Sequence, residues 1–252
     1  MKIKNKFFYY ILFFIFTFHV GQAQQNYAYK VHNPNDVSSI TKSVSRAKSS
    51  DNIIFIVDFS NSMNERINGK TKVEIARETL AEILPKIPPD VKVGLRVYGH
   101  RAGFTYLQGC QASNLIVPLG QGNYQSVLGS LYAVNAVGWT PITYSLKQAL
   151  NSDFIGVAGK KHIILLTDGG ENCDESPCTF VINLMKIRDD FKIDVIAFDI
   201  HDIEANNQLK CTALMTSGKF LPVYSQQGLT DSLFETVGIN KDVKGTVKIP
   251  NQ

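Results

Sequence analysis

"IIFIVDFSNSM", Ile53 to Met63, runs five apolar residues straight into Asp58 and then spaces two serines, Ser60 and Ser62, at the same parity. An unbroken, largely β-branched run suits a strand buried on both faces of a sheet. A carboxylate and two hydroxyls at its end add nothing to an apolar core, and burying polar groups without partners costs free energy. The stretch therefore asks for a ligand at the carboxyl end of a strand.

The surrounding chain alternates strands and helices. Thr71-Lys72-Val73-Glu74 has capping-box spacing. Val73, Ala76, Leu80, Ile83 and Ile87 follow at helical spacing until Pro88-Pro89 stops the run. Further strands are expected at Val91 to Tyr98, His162 to Thr167, Ile193 to Ile200 and Lys219 to Tyr224. Leu115 to Pro118 reads as a short edge strand. Helices are expected at Tyr124 to Val134 and at Pro141 to Leu150, the latter with Thr140 as its cap. Others follow from Ser176-Pro177 onward, at Glu204 to Thr216 with Gly218 able to close it, and at Thr230 to Val237. This order predicts an α/β fold: a three-layer, doubly wound, mostly parallel sheet with one short antiparallel edge strand. Ligands of such sheets bind beyond the carboxyl ends of the strands, at the topological switch point.

Five oxygen donors gather on that rim: Asp58, Ser60, Ser62, Thr140 and Asp168, the last at the end of "HIILLT". None is sulfur or imidazole. Hard oxygen donors with few carboxylates suit magnesium, with manganese or calcium as alternatives. Three hydroxyls and two carboxylates leave a coordination position for a group from outside, such as an acidic side chain of a protein ligand.

These residues resemble the von Willebrand factor type A domain family. Asp58-Phe59-Ser60-Asn61-Ser62 fits its D-x-S-x-S motif, Gly138 to Thr143 ("GWTPIT") its threonine loop, and Leu165 to Cys173 ("LLTDGGENC") its T-D-G loop. The resemblance implies a Rossmann-like fold over about Asn52 to Val237 and a metal-ion-dependent adhesion site. In that site Ser60, Ser62 and Thr140 would bind the metal directly, and Asp58 and Asp168 directly or through water. "KVEIARETLAEILPKIP", "VGLRVYGHR" and "ENCDESPC" are similar to an exported bacterial subgroup. Asn61 and Trp139 stand where glycine is commoner, at positions that supply no ligand side chain.

The rest of the chain bounds the class. Residues 1–23 read as a secretory signal: Lys2, Lys4 and Lys6, then the 14-residue apolar run Phe7 to Val20, then Gly21-Gln22-Ala23. That run is short of the roughly 20 residues of a spanning helix. Residues 24–51 are a polar arm, 52–238 the domain and 239–252 a tail. Losing the three lysines takes the formal charge from +4 to +1, so nucleic acid is not an expected partner, nor is stable membrane insertion. The chain is expected to be periplasmic, cell-surface or secreted. Four cysteines, Cys110, Cys173, Cys178 and Cys211, then favour disulfides. The strand reading prefers Cys110 with Cys173 and Cys178 with Cys211, and leaves Cys173 with Cys178 as the competitor. A zinc site is disfavoured because no histidine sits at ligand spacing beside them.

An enzyme is not expected. Ser60 stands where a D-x-D phosphatase has its second acid, and neither G-x-S-x-G nor a phosphate-binding P-loop occurs. His100 and His201 fall near the rim and His162 at the opposite end, all as structural or surface residues. Glu171, Asp174 and Glu175 read as solvated loop charge. A metal-stabilised structural module without a partner remains the alternative.

Overall fold

The computed structural model describes residues 52–173 and 175–239. The signal-like segment, the polar arm, Asp174 and residues 240–252 lie outside them. Within the described residues, β1 (Asn52–Asp58) is buried at every position. It lies between β4 (Lys92–Tyr98) and β6 (Lys161–Thr167), parallel to both. The six-stranded sheet has the order β5-β4-β1-β6-β7-β8, with β5 at Ser113–Gln121, β7 at Phe191–Phe198 and β8 at Phe220–Val223. All neighbours are parallel except β4 and β5.

Strand parity divides the core in two. Ile53, Phe55 and Val57 face one apolar layer, and Ile54 and Ile56 face the other. The first layer is filled from α1 (Lys72–Ile83), α3 (Tyr124–Ala133) and α7 (Gln226–Val237), through Leu80, Leu131 and Leu233. The second is filled from α4 (Ile142–Gln148), α5 (Pro177–Met185) and α6 (Ile203–Met215), through Leu146, Val181 and Leu209. That is why β1 carries no alternation: both of its faces are core. Each fully buried aliphatic side chain there contributes about 1.5–3 kcal/mol.

The chain leaves β1 toward β4 on one side and later returns to β6 on the other. The switch point therefore falls between β1 and β6, and the loops after Asp58 and Thr167 flank it.

Local chemistry sets the helix starts. Thr71 accepts from the Glu74 N–H, and Glu74 accepts from the Thr71 N–H, so the capping box forms. Ser176 caps α5 ahead of Pro177.

Several expectations need correction. Thr140 does not cap α4; Pro141 stands at that position without a side-chain cap bond. The helix is also shorter than expected, passing into a π turn at Ala149–Asp153. The edge strand β5 runs to nine residues rather than four, because its pairing with β4 continues through register shifts around Leu95. At the end of α6 the left-handed residue is Ser217, and Gly218 donates its N–H back to the Ala213 carbonyl. A two-stranded ribbon, β2 (Arg66–Ile67) with β3 (Lys70–Thr71), turns at Asn68-Gly69, both with positive φ. A short helix, α2 (Tyr106–Cys110), sits between β4 and β5. Both edge strands of the large sheet carry a proline, Pro118 in β5 and Pro222 in β8.

Candidate metal centre

The loop leaving β1 is anchored from below. Phe59 and Met63 are fully buried in the apolar layer, and the Arg77 guanidinium lies 5.6 Å over the Phe59 ring. With those two residues held inward, Ser60 and Ser62 are turned to the rim. Their Oγ atoms lie 3.0 Å apart, and Ser62 Oγ donates to Asp168 Oδ1 at 2.7 Å. Three of the five expected oxygen donors thus meet in one chain of contacts.

Asp58 sits one layer deeper, at zero exposure. Its Oδ1 accepts from the Ser60 N–H at 2.6 Å. Its Oδ2 accepts from Tyr98 Oη and Thr167 Oγ1, each at 2.9 Å, and from the Asp168 N–H at 3.4 Å. Both oxygens are thus occupied by protein donors, so Asp58 supplies charge and loop geometry beneath the rim. Burial raises its pKa above the ordinary carboxylate value, against the pull of these hydrogen bonds. Burial, then the charge of Asp58, pushes Asp168 up to about 7. Burial and Asp58 also hold the Tyr98 phenol well above its usual range, so it stays a donor.

Thr140 arrives by backbone pairing. Ser60 forms a parallel bridge with Gly138, and the Asn61 N–H donates to the Gly138 carbonyl at 3.0 Å. Two glycines permit this approach. A Cβ on Gly99, whose φ is +71°, would lie 2.5 Å from Ser60 N; one on Gly138 would lie 2.4 Å from the Arg101 carbonyl oxygen. Thr140 is buried, and its N–H donates to Asn172 Oδ1 at 2.8 Å.

The loop after Asp168 is the clamp for this segment. Glu171 accepts from the Thr143 N–H at 2.6 Å and from the Cys173 N–H at 2.9 Å. It is thus a structural acceptor rather than the expected solvated charge, and burial raises its pKa. Glu175 is paired on the surface with Lys147. Cys173 is bonded to Cys110 at the end of α2, with Cα atoms 5.5 Å apart. Cys178 is bonded to Cys211, Cα atoms 5.4 Å apart.

One functional neighbour was not anticipated from sequence. Lys72, 3% exposed at its side chain, places Nζ 3.1 Å from Asp168 Oδ2, 2.7 Å from Glu65 Oε2 and 3.3 Å from Asp199 Oδ2. Burial works to lower its pKa, but Glu65 and Asp168 outweigh this and leave it raised. Lys72 occupies one oxygen of Asp168 and leaves the other to Ser62. The available signal was position: a lysine in the first turn of α1 opposes the helix dipole. Asp199 holds a positive φ of 59° at the end of β7 and pairs on its other oxygen with His201. The other two described histidines lie at opposite ends of the sheet, as expected. His100 follows β4 at the rim, its pKa lowered by burial and then by Arg101, while His162 bonds Asp194 at the far end of the sheet.

The donor set fits a small hard dication. Neighbouring oxygens around an octahedral ion with bonds of about 2.1 Å lie about 3 Å apart; Ser62 Oγ lies 3.0 Å from Ser60 Oγ and 2.7 Å from Asp168 Oδ1. Burial raises the pKa of both carboxylates, and Asp58 adds to the rise at Asp168, a penalty that a bound cation would relieve. Among the described residues, no group of three or more His, Cys, Asp or Glu is placed to hold a metal ion, so a cation on this rim would rest on its serine and threonine oxygens.

A doubly wound sheet with two serines, an aspartate and a threonine loop at its switch point defines a class of α/β domain with an oxygen-rich rim. The family model of the von Willebrand factor type A domain matches residues 52–232, and the chain belongs to that family. It is 31% identical over 190 residues to the uncharacterized protein YwmC of Bacillus subtilis, covering 74% of this chain and 82% of the relative. Among solved structures it is similar to a von Willebrand factor type A protein of Catenulispora acidiphila. The TM-score there is 0.59 at 19% identity, over 75% of this chain and 42% of the other. It is similar also to mussel byssus proximal thread matrix protein 1, whose metal-ion-dependent adhesion motif is occupied by zinc. That TM-score is 0.57 at 20% identity, over 75% of this chain and 45% of the other. At these identities the two structures speak for the fold alone.

Proposed function

We propose that this chain is an exported recognition module that binds a divalent cation on its carboxyl rim and, through it, an acidic residue of a protein ligand. The observation that carries this reading is the spacing of Ser60 Oγ, Ser62 Oγ and Asp168 Oδ1, 3.0 and 2.7 Å between neighbours. Ser60, Ser62, Thr140 and Asp168 would hold the ion, and Asp58 would add its negative charge from beneath. Bound there, the ion supplies an electrophilic position that a partner carboxylate completes. An all-oxygen donor set favours magnesium, with manganese or calcium next, over zinc. Two disulfides suit an oxidising compartment, and no described helix is long and apolar enough to cross a membrane.

Thermal unfolding with magnesium and with chelator tests the site. Magnesium should raise the midpoint of the native protein and leave the double variant Ser60→Ala, Asp168→Ala unmoved. Equal shifts in both would defeat the assignment. Partner binding is tested by retention from a cell-envelope fraction in magnesium, lost in chelator and in the same variant.

A further inference from the structure

The metal rim continues into an apolar ledge. Phe104, Leu107, Tyr106 and Trp139 have relative exposures of 102, 63, 45 and 38%. Phe104 lies just before α2 and Tyr106 and Leu107 within it, on the connection between β4 and β5; Trp139 lies on the threonine loop beside it. The ledge is held in place. Tyr106 and Trp139 meet edge to face with centroids 5.3 Å apart. The Trp139 ring lies so close to Gly109 that a Cβ there would fall 2.2 Å from Cδ1. The disulfide Cys110–Cys173 ties this loop to the one that holds Thr140 through Asn172. Large side chains exposed on a rigid support, rather than on a loose loop, are the usual form of an interaction anchor.

Trp139 directly precedes Thr140, so the ledge begins one residue from the oxygen donors. Arg101, exposed on the same loop, adds positive charge. We infer that the ledge selects the residues flanking the partner's acid: the ligand is a protein segment with Asp or Glu and a bulky apolar side chain within about two positions. Charge complementarity brings the carboxylate to the cation, and the same segment must then cover Trp139 and its neighbours. This rests on the metal-dependent reading above and specifies its partner.

The probe is a displayed random-peptide library panned on the full protein in magnesium, with chelator as the control. Magnesium-dependent binders should share an acidic residue with Trp, Phe, Leu or Ile close by. The variant Phe104→Ser, Leu107→Ser should retain them about tenfold less, while its magnesium-induced thermal shift stays native. Acidic binders without an apolar neighbour, or equal retention by the variant, overturn the ledge and leave metal-dependent binding standing. No magnesium-dependent binder at all, despite a native thermal shift, overturns both the ledge and the partner reading. A magnesium-dependent dimer in sedimentation, abolished by the same variant, would put a second copy on the ledge and overturn it.

Discussion

On the proposed reading, Asp168 is where proton and cation would compete. Its carboxyl ordinarily titrates at 3.8, but in the fold burial and Asp58 move it to about 7. Between those values the folded chain keeps a proton that the unfolded chain has lost. Without metal, stability should therefore fall as pH rises through this window and level off above 7. Asp58, shifted in the same direction, adds to the slope. Magnesium should act oppositely, its stabilisation growing across the same window as the proton is displaced. Midpoints measured along a pH series with magnesium and with chelator check this; a magnesium shift that ignores pH would contradict it. Asp58, Ser60, Ser62 and Asp168 were legible as candidates in the sequence because polar side chains that follow an apolar strand directly call for partners. Tyr98, Thr167, Lys72 and Asn172 were not, since each reaches the site across sequence separations of 32 to 109 residues that only tertiary pairing closes.

At the scale of elements, the strands read well and the connections less so. An apolar β-branched run states its burial directly, and β1, β4, β6 and β7 fall close to where the runs lie. The ends of β5, α4 and α7 depend on pairing and packing that spacing does not encode. The ribbon β2–β3 has two residues per strand and one apolar side chain, Ile67, so its Asn68-Gly69 turn had no flanking alternation to support it. The π turn after α4 has a physical anchor. Asp153, at its end, receives both Nε and Nη2 of Arg96 from β4 at 2.7 Å, with each side chain 5% exposed. Asp153→Ala would leave the guanidinium buried and uncompensated, and should cost about 3–5 kcal/mol. Replacing both partners, Arg96→Met with Asp153→Leu, should cost clearly less. Urea unfolding of the two variants distinguishes them; equal losses would mean that the pair does not act as a unit.

For the whole molecule, the disulfides bear on the unfolded chain more than on the folded one. They close loops spanning 63 and 33 residues. Loop-closure entropy assigns each about 4 kcal/mol. Reduction should lower the urea midpoint and steepen the dependence on denaturant, because the unfolded chain then exposes more surface. An unchanged midpoint under reductant would contradict a structural role. The class of fold was legible over its whole length, since strand and helix alternate with few interruptions. The pairing of the cysteines was open in the sequence because it depends on which loops share the rim.

The two prolines in the outer strands carry a consequence for crowding. An outermost strand offers main-chain donors and acceptors to any extended chain that meets it, the usual route to runaway stacking. Pro118 and Pro222 each remove an N–H from that row. Association by strand addition is disfavoured along both flanks, so a protein displayed at high local density would resist fibril-like growth.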